Sequence, residues 1–321
     1  GAAAQALIDA AKKEGSVTWY TAQIINQLVR PISDAFEKKY GIKVNAVRAD
    51  ASDNALRIAA EGQAGKMQAD VFDGTTTSPS LERLGLVLKW QPDGAKRLPP
   101  QFVDKNGYWV ANNLYVQNPC FNTSLVPPGT EPKTWDDLLD PKWRGRMVIS
   151  GTSSASAGAG FVGVVLTEMG EQKGMDYLRK LAQQNVAIMD VAARAITDQV
   201  ISGEYAVGLQ VFNHQSVISA RKGAPVDWIP WNPSLAVLSV AGVTKGAPHE
   251  NAGKLLLDFL ISPEGQKIFS DNDYIPVDPD VPAKSANLNP EIGHFRAIYL
   301  TPEELEPDIA KWLPIFQSLF R

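Results

Sequence analysis

One cysteine and three histidines in 321 residues leave this sequence little with which to build covalent or metal chemistry. Cys120 has no second thiol, so an internal disulfide and any multi-cysteine metal site are excluded. Three histidines likewise narrow the scope for proton transfer and zinc-type ligation. Net charge is small: 31 basic and 35 acidic residues give −4, so a nucleic acid or an anionic membrane surface finds no electrostatic footprint. Long apolar runs are missing too. The longest, Ala157 to Leu166, is rich in Gly and Ala and falls short of the ~18–20 residues that span a bilayer. No GxxxxGK[ST] phosphate loop and no GxSxG nucleophile elbow occurs, which excludes a P-loop ATPase and leaves a serine hydrolase with weak support.

What is present fits two domains, at roughly 150 residues each. The chain begins Gly1-Ala2-Ala3-Ala4-Gln5-Ala6 without Met. Small residues of this kind flank secretory cleavage sites, so a mature exported protein whose signal is missing is expected, with a cloning scar as the competing origin of Gly1. Helical and extended patterns alternate, which argues for an α/β protein. Ala2 to Glu14 reads as a helix, Val17 to Tyr20 as a strand, Asn26 to Tyr40 as a helix and Lys43 to Val47 as a strand. Asn54 to Ala64 follows as a helix and Ala69 to Asp73 as a strand. A parallel sheet built this way binds ligand beyond the carboxyl ends of its strands. Those ends are polar and small: Tyr20-Thr21-Ala22-Gln23, Ala49-Asp50-Ala51-Ser52 and Asp73-Gly74-Thr75.

A second α/β series follows the break at Pro127-Pro128-Gly129. Its strands are expected at Met147 to Ile149, Val186 to Met189, Tyr205 to Phe212, Val226 to Ile229 and Ser234 to Val243. Its helices are expected at Ser156 to Gln172, Met175 to Gln184, Ala195 to Ser202, His249 to Ile261 and Pro263 to Phe269. Between the first strand and the first helix lies Ser150-Gly151-Thr152-Ser153-Ser154, four hydroxyls and a glycine in five residues. A helix N-terminus has unpaired N–H groups and partial positive charge, so hydroxyls added there make an anion site without a metal. Plain helix capping is the alternative, although a cap needs only one such residue. Gly158, Gly160 and Gly163 match GxGxxG, but eight residues after the strand they fall inside the helix, where they are expected to let it approach the sheet.

Taken in order, GSVTWYTA, ADVFDG, NPCFNTSLVP, TWDDLLDPKWRGRMVI, SGEYAVGL, HENAGKLLLDFLISPEGQKIF and DYIPV span nearly the whole chain. In this order and spacing it resembles the periplasmic solute-binding proteins of ABC importers, in the ferric-ion-binding-like branch of the type II fold. The resemblance implies two lobes, each a mostly parallel sheet flanked by helices, closing by hinge motion on a solute in the cleft between them. It places the first lobe at 1–118, the second at 119–234, and a return crossover plus C-terminal helices at 235–321. Iron-binding members carry adjacent tyrosines, whose phenolates suit a hard trivalent cation. Here Gln215 and Ser216 stand at those positions, and no first-lobe histidine is present in YTAQII.

The resulting expectation is a non-enzymatic, monomeric, periplasmic binding protein that needs no cofactor. It delivers a small solute to the membrane permease of an ABC importer, and the best candidate solute is an organic anion or oxyanion. Tyr20, Thr21, Gln23, Ser52, Asp73 and Thr75 are the candidate contacts in the first lobe. In the second they are Ser150, Thr152, Ser153, Ser154, Arg194, Asn213, His214 and Trp231. Arg194 enters because a guanidinium pairs bidentately with a carboxylate or oxyanion, with a surface ion pair as its alternative. The competing functions are a ferric-ion or polyamine binder on the same fold and a small-molecule hydrolase or lyase on the same scaffold. No metal ligand and no catalytic residue is assigned.

Overall fold

The computed structural model describes residues 1–320. In chain order it has α1 (Ala2–Glu14), β1 (Ser16–Thr21), α2 (Arg30–Tyr40), β2 (Lys43–Arg48), α3 (Ala51–Gln63), β3 (Val71–Gly74) and α4 (Ser78–Arg83). There follow β4 (Val110–Asn122), β5 (Met147–Ser150), α5 (Gly158–Met169), α6 (Glu171–Ala182), β6 (Ala187–Met189), α7 (Ala193–Ile201), β7 (Val207–Phe212) and α8 (Asn213–Arg221). The remainder is β8 (Val226–Trp228), β9 (Ser234–Val243), α9 (Glu250–Ile261), α10 (Pro263–Asp271), β10 (Ile275–Pro276), β11 (Ala297–Leu300) and α11 (Pro302–Leu319). Among the described residues no helix is long and apolar enough to cross a membrane.

The chain divides into two compact units. Unit 1 is Gly1–Leu114, Leu238–Lys284 and Thr301–Glu303; unit 2 is Tyr115–Val237, Ser285–Leu300 and Glu304–Arg321. In unit 1 the strand order is β2-β1-β3-β9-β4. The first three are parallel, and β9 joins antiparallel, with Asp73 opposite Ala241 and Gly74 opposite Val240. In unit 2 the order is β4-β7-β5-β6. There β7, β5 and β6 are mutually parallel and β4 runs against β7, with β8 antiparallel on β4 and β11 parallel on β9.

Local sequence explains most element ends. Pro263 opens α10 where its missing N–H does no harm, and the Ser262 hydroxyl caps that helix by accepting from Gly265 N at 3.1 Å. All four residues of β5 are buried, because Met147 and Ile149 face one core cluster and Val148 faces another. Four expectations need correction. The helix after β5 starts at Gly158 rather than Ser156, and α6 starts at Glu171 rather than Met175. Asn213 to Ser216 does not simply end a strand but opens a nine-residue helix, α8.

The fourth correction concerns two of the helical glycines, Gly158 and Gly163, which face another helix and not the sheet, while Gly160 lies against the Ala155 carbonyl. A Cβ on Gly158 would overlap the Phe316 ring and one on Gly163 the Trp312 ring, both on α11. Trp312 and Phe316 are themselves buried in the unit 2 core with Phe161, Val162 and Val165. Backbone of α5 therefore substitutes for side chain at this helix–helix contact. Gly163→Ala is expected to lower stability by about 1–3 kcal/mol through overpacking, seen as a lower urea midpoint. Combining it with Trp312→Leu should recover part of the loss, since both changes compete for one space; strict additivity would show that the contact is not the cause.

Candidate functional site

In unit 1 the connection from β1 through α2 leads to β2 on one side, and the connection from β2 through α3 returns past β1 to β3. The chain therefore leaves the carboxyl ends of the neighbouring strands β1 and β3 in opposite directions. Unit 2 repeats the arrangement: β5 leads through α5 and α6 to β6, while β7 leads through α8 to β8 on the far side of β4. Such reversals open a crevice at the strand ends, where α/β sheets bind ligands. The crevice of unit 1 falls at Thr21 to Gln23 and Gly74 to Thr75. That of unit 2 falls at Gly151 to Ala157 and at Asn213 and His214.

Asp73 organises the first crevice. It is wholly buried; Oδ2 accepts from Trp19 Nε1 at 2.7 Å and Oδ1 from Ala22 N at 2.9 Å. It is thus a lock on the β1 end and not a free ligand for the solute, which corrects its expected role. Gly74 beside it has φ 143°, and a Cβ there would run into Thr77 and Ala51. Tyr20 also needs correction, because its side chain belongs to the core. Its hydroxyl donates to Glu61 Oε2 at 2.5 Å and its ring lies under the Arg57 guanidinium. Burial first, then that hydrogen bond, pushes its pKa up to about 12. Thr21 is buried and accepts from Gln23 N at 3.0 Å, and Thr75 is half-buried at the crevice. Ser52 is exposed at the end of β2, one strand outside it.

In unit 2 the hydroxyl loop is shaped by its own side chains. Ser150 Oγ donates to Val191 O at 2.6 Å and meets Thr152 Oγ1 at 3.0 Å; Ser154 and Ser156 hydroxyls meet at 3.0 Å. None of them caps α5, whose N-cap is Ala157 with no side-chain bond. The turn at Ala155 to Ala157 separates Thr152 to Ser154 from the helix start, so the expected seat of those hydroxyls on its first turn is displaced by three residues. Gln210 Nε2 steadies that turn by donating to Ala155 O at 3.2 Å. Asn213 begins α8 on the adjacent strand end; its Nδ2 donates to Leu288 O at 3.1 Å and its Oδ1 has no partner. His214 stacks obliquely near Tyr115 and Phe212.

Two expected contacts lie elsewhere. Arg194 is exposed on α7, after the edge strand β6, and pairs with Asp198 at 2.7 Å, the surface ion pair that was its alternative. Trp231 is buried in the unit 2 core, edge-on to Trp135 at 5.1 Å between ring centroids. Residues that sequence reasoning passed over include Asn113 and Ser239, which hold the Gln23 amide, and Gln117 and Gln210. Their signal was available: amides and hydroxyls in strands that otherwise read as continuous apolar runs. Among the described residues no three His, Cys, Asp or Glu side chains converge to hold a metal ion.

Burial pushes the Asp73 carboxyl up to about 6 from 3.8, against the lowering effect of hydrogen bonds from Thr21, Ala22 and Trp19. Because the folded state holds the proton more tightly, this group adds stability that is complete below the unfolded value. That stability is lost as the pH rises through about 6, about 3 kcal/mol in all. Asp73→Asn cannot ionise, so its stability relative to the parent should rise by about that amount between pH 4 and pH 7 in urea unfolding. A constant difference across that window would mean that Asp73 stays charged in the folded protein.

A family profile described as bacterial extracellular solute-binding protein matches residues 70–294. A periplasmic protein of Salmonella paratyphi A, for which 2-aminoethylphosphonate binding is proposed, is 28% identical over 322 residues, covering 95% of this chain and 86% of its own. Iron-bound HitA of Pseudomonas aeruginosa superposes with a TM-score of 0.76 at 24% identity, covering 95% of this chain and 99% of its own. AfuA of Actinobacillus pleuropneumoniae, with fructose 6-phosphate bound, superposes at 0.72 and 22% identity, covering 94% and 99%. The matched profile takes in every element from β3 to β10, including β5 and β7 of the unit 2 crevice, and the chain belongs to the bacterial extracellular solute-binding proteins.

Proposed function

We propose that this protein binds a small organic anion or oxyanion, such as a phosphonate, carboxylate or phosphate ester, as the extracytoplasmic component of an ABC import system. The observation that carries the reading is the crevice of unit 2. Two helix starts, α5 and α8, follow the neighbouring strands β5 and β7, with the hydroxyls of Thr152 to Ser154 in the loop that joins β5 to α5. Backbone N–H groups at such starts favour negative charge. The phosphonate-binding assignment of the 28%-identical Salmonella relative supports the same class. Thr21 and Thr75 supply contacts from unit 1, where the Gln23 amide is committed to Asn113 and Ser239, and Thr152, Ser153, Ser154, Asn213 and His214 supply them from unit 2. The protein works as an exported monomer that hands its solute, chemically unchanged, to a membrane permease.

Solute stabilises the closed conformation by binding groups on both units, with the chain bending where β4 and β9 pass from one unit to the other. Saturation of the emptied protein should reduce the radius of gyration in small-angle scattering, and an unchanged radius with bound solute would exclude closure. At ~100 times its dissociation constant a solute adds about 2.7 kcal/mol. That corresponds to a melting shift of several degrees, at roughly 2–4 °C per kcal/mol. In a thermal-shift panel, phosphonates, carboxylates and phosphate esters should produce that shift. Thr152→Ala and Ser154→Ala should each weaken binding by about 0.5–1.5 kcal/mol, or up to about 3 where the bond is to a charged group. A panel in which only ferric salts or polyamines act would overturn the anion assignment.

A further inference from the structure

Gln23 leaves the carboxyl end of β1 and turns its side chain across the end of β3. Its Nε2 donates to Asn113 Oδ1 at 3.0 Å and reaches Ser239 Oγ at 3.4 Å. Ser239 is the residue beyond Val240, which pairs with Gly74, so it lies level with Thr75 at the crevice of unit 1. Asn113 lies on β4 opposite Pro276 of β10. All three side chains are buried, at 2%, 0% and 1% exposure for Gln23, Asn113 and Ser239. Asn113 Nδ2 nonetheless has no hydrogen-bond partner.

A buried amide that serves only the fold is satisfied on both ends. Gln266 in the same unit shows the pattern: Nε2 donates to Asn112 O and Leu260 O, and Oε1 accepts from Val277 N and Asp278 N. Asn113 is half satisfied, and the free half is a donor at a ligand crevice. Asn112 is also unpartnered, but successive strand residues point to opposite faces, which places it away from Gln23. The carboxylates near the crevice offer nothing to a cation. Both Asp73 oxygens are engaged, Asp50 is exposed beside Arg48, and Asp273 has a partner of its own.

Resting on the anion reading above, we infer that Asn113 is a specificity-determining residue of the solute site. Its Nδ2 donates to an oxygen at the end of the solute remote from the anionic group. The solute therefore carries a carboxylate or hydroxyl at that end, and a bare ammonium is disfavoured. Gln23 and Ser239 act as positioning residues that fix which face of the amide is free.

The test compares two phosphonates that differ only at the remote end, 3-phosphonopropionate with a carboxylate and 2-aminoethylphosphonate with an ammonium. Affinities are measured by calorimetry on the full, emptied chain. The parent protein should favour the carboxylate probe by about ten-fold or more. Asn113→Asp keeps an oxygen for Gln23 Nε2 and turns the free donor into an acceptor, so the preference should reverse. Asn113→Leu should lose about ten-fold for the carboxylate probe and little for the ammonium probe; it stands in if the aspartate variant melts below the assay temperature. Equal affinities in parent and both variants, or a parent that prefers the ammonium, would overturn the role of Asn113 while leaving the anion reading intact. A parent that binds neither phosphonate nor any other anion would bring down that reading, and this inference with it.

Discussion

Two strands buried along almost their whole length set the terms for everything else. β4 contributes Val110 to Leu114 to unit 1 and Tyr115 to Asn122 to unit 2, and β9 is shared in the same way at Val237 and Leu238. Neither has a solvent face, yet β4 carries Asn112, Asn113, Gln117, Asn118 and Asn122, and β9 carries Ser234 and Ser239. Polar groups in such a place must find partners or be left with a desolvation cost of about 1–3 kcal/mol each. Most find them in side chains and carbonyls of the same unit. Asn118 Nδ2 donates to Ser234 Oγ at 3.3 Å, Gln210 Nε2 approaches Gln117 Oε1 at 3.4 Å, and Asn122 Nδ2 donates to Val200 O at 2.8 Å. Among those partners are Gln23, just beyond the end of β1, and Gln210, within β7. The crevices are consequently lined with oriented polar groups and not with loose loops.

Much of the architecture was legible from residue pattern. Strands β1 to β3 and β5 to β9, and helices α1, α9 and α10, have either apolar runs or an amphipathic stripe bounded by Gly, Ser or Pro, and periodicity is enough to find them. Other elements gave poor signals for physical reasons. Helix α8 opens Asn-His-Gln-Ser, of which Asn, His and Ser have weak helix preference, and is fixed by its place after β7 and not by propensity. Helix α11 contains Pro307 and Pro314, which read as breaks, yet packing of Trp312 and Phe316 on α5 carries it through. Seeing that Gly158 and Gly163 serve a helix rather than the sheet requires knowing which element lies opposite, and no local pattern holds that information.

The site was legible at the level of segments and less so at the level of side chains. Polar strand ends mark where ligand groups gather, and the loops at Thr21 to Gln23, Thr75 and Ser150 to Ser154 do end up at the crevices. Strand order decides which ends matter, and order is a tertiary property. That is why Ser52 and Arg194, beyond the outer strands β2 and β6, looked equivalent to residues that fall at the reversals. Commitment of a side chain is equally invisible beforehand. Asp73 and Tyr20 carry suitable chemistry, but Trp19, Ala22 and Glu61 already occupy it.

Neither unit is a continuous stretch of chain: the first needs residues up to Glu303, and the second draws on both Tyr115 and the last turns of α11. During synthesis, β3 has no β9 to pair with until more than 160 residues after it have been made. Gly163 of α5 likewise waits for Trp312, near the end of the chain. Contacts of such long sequence separation form slowly, because the loops that join them must close first. A nascent chain wired this way cannot lock either half early. A polypeptide that must be threaded through a membrane pore before it folds gains time from that wiring alone.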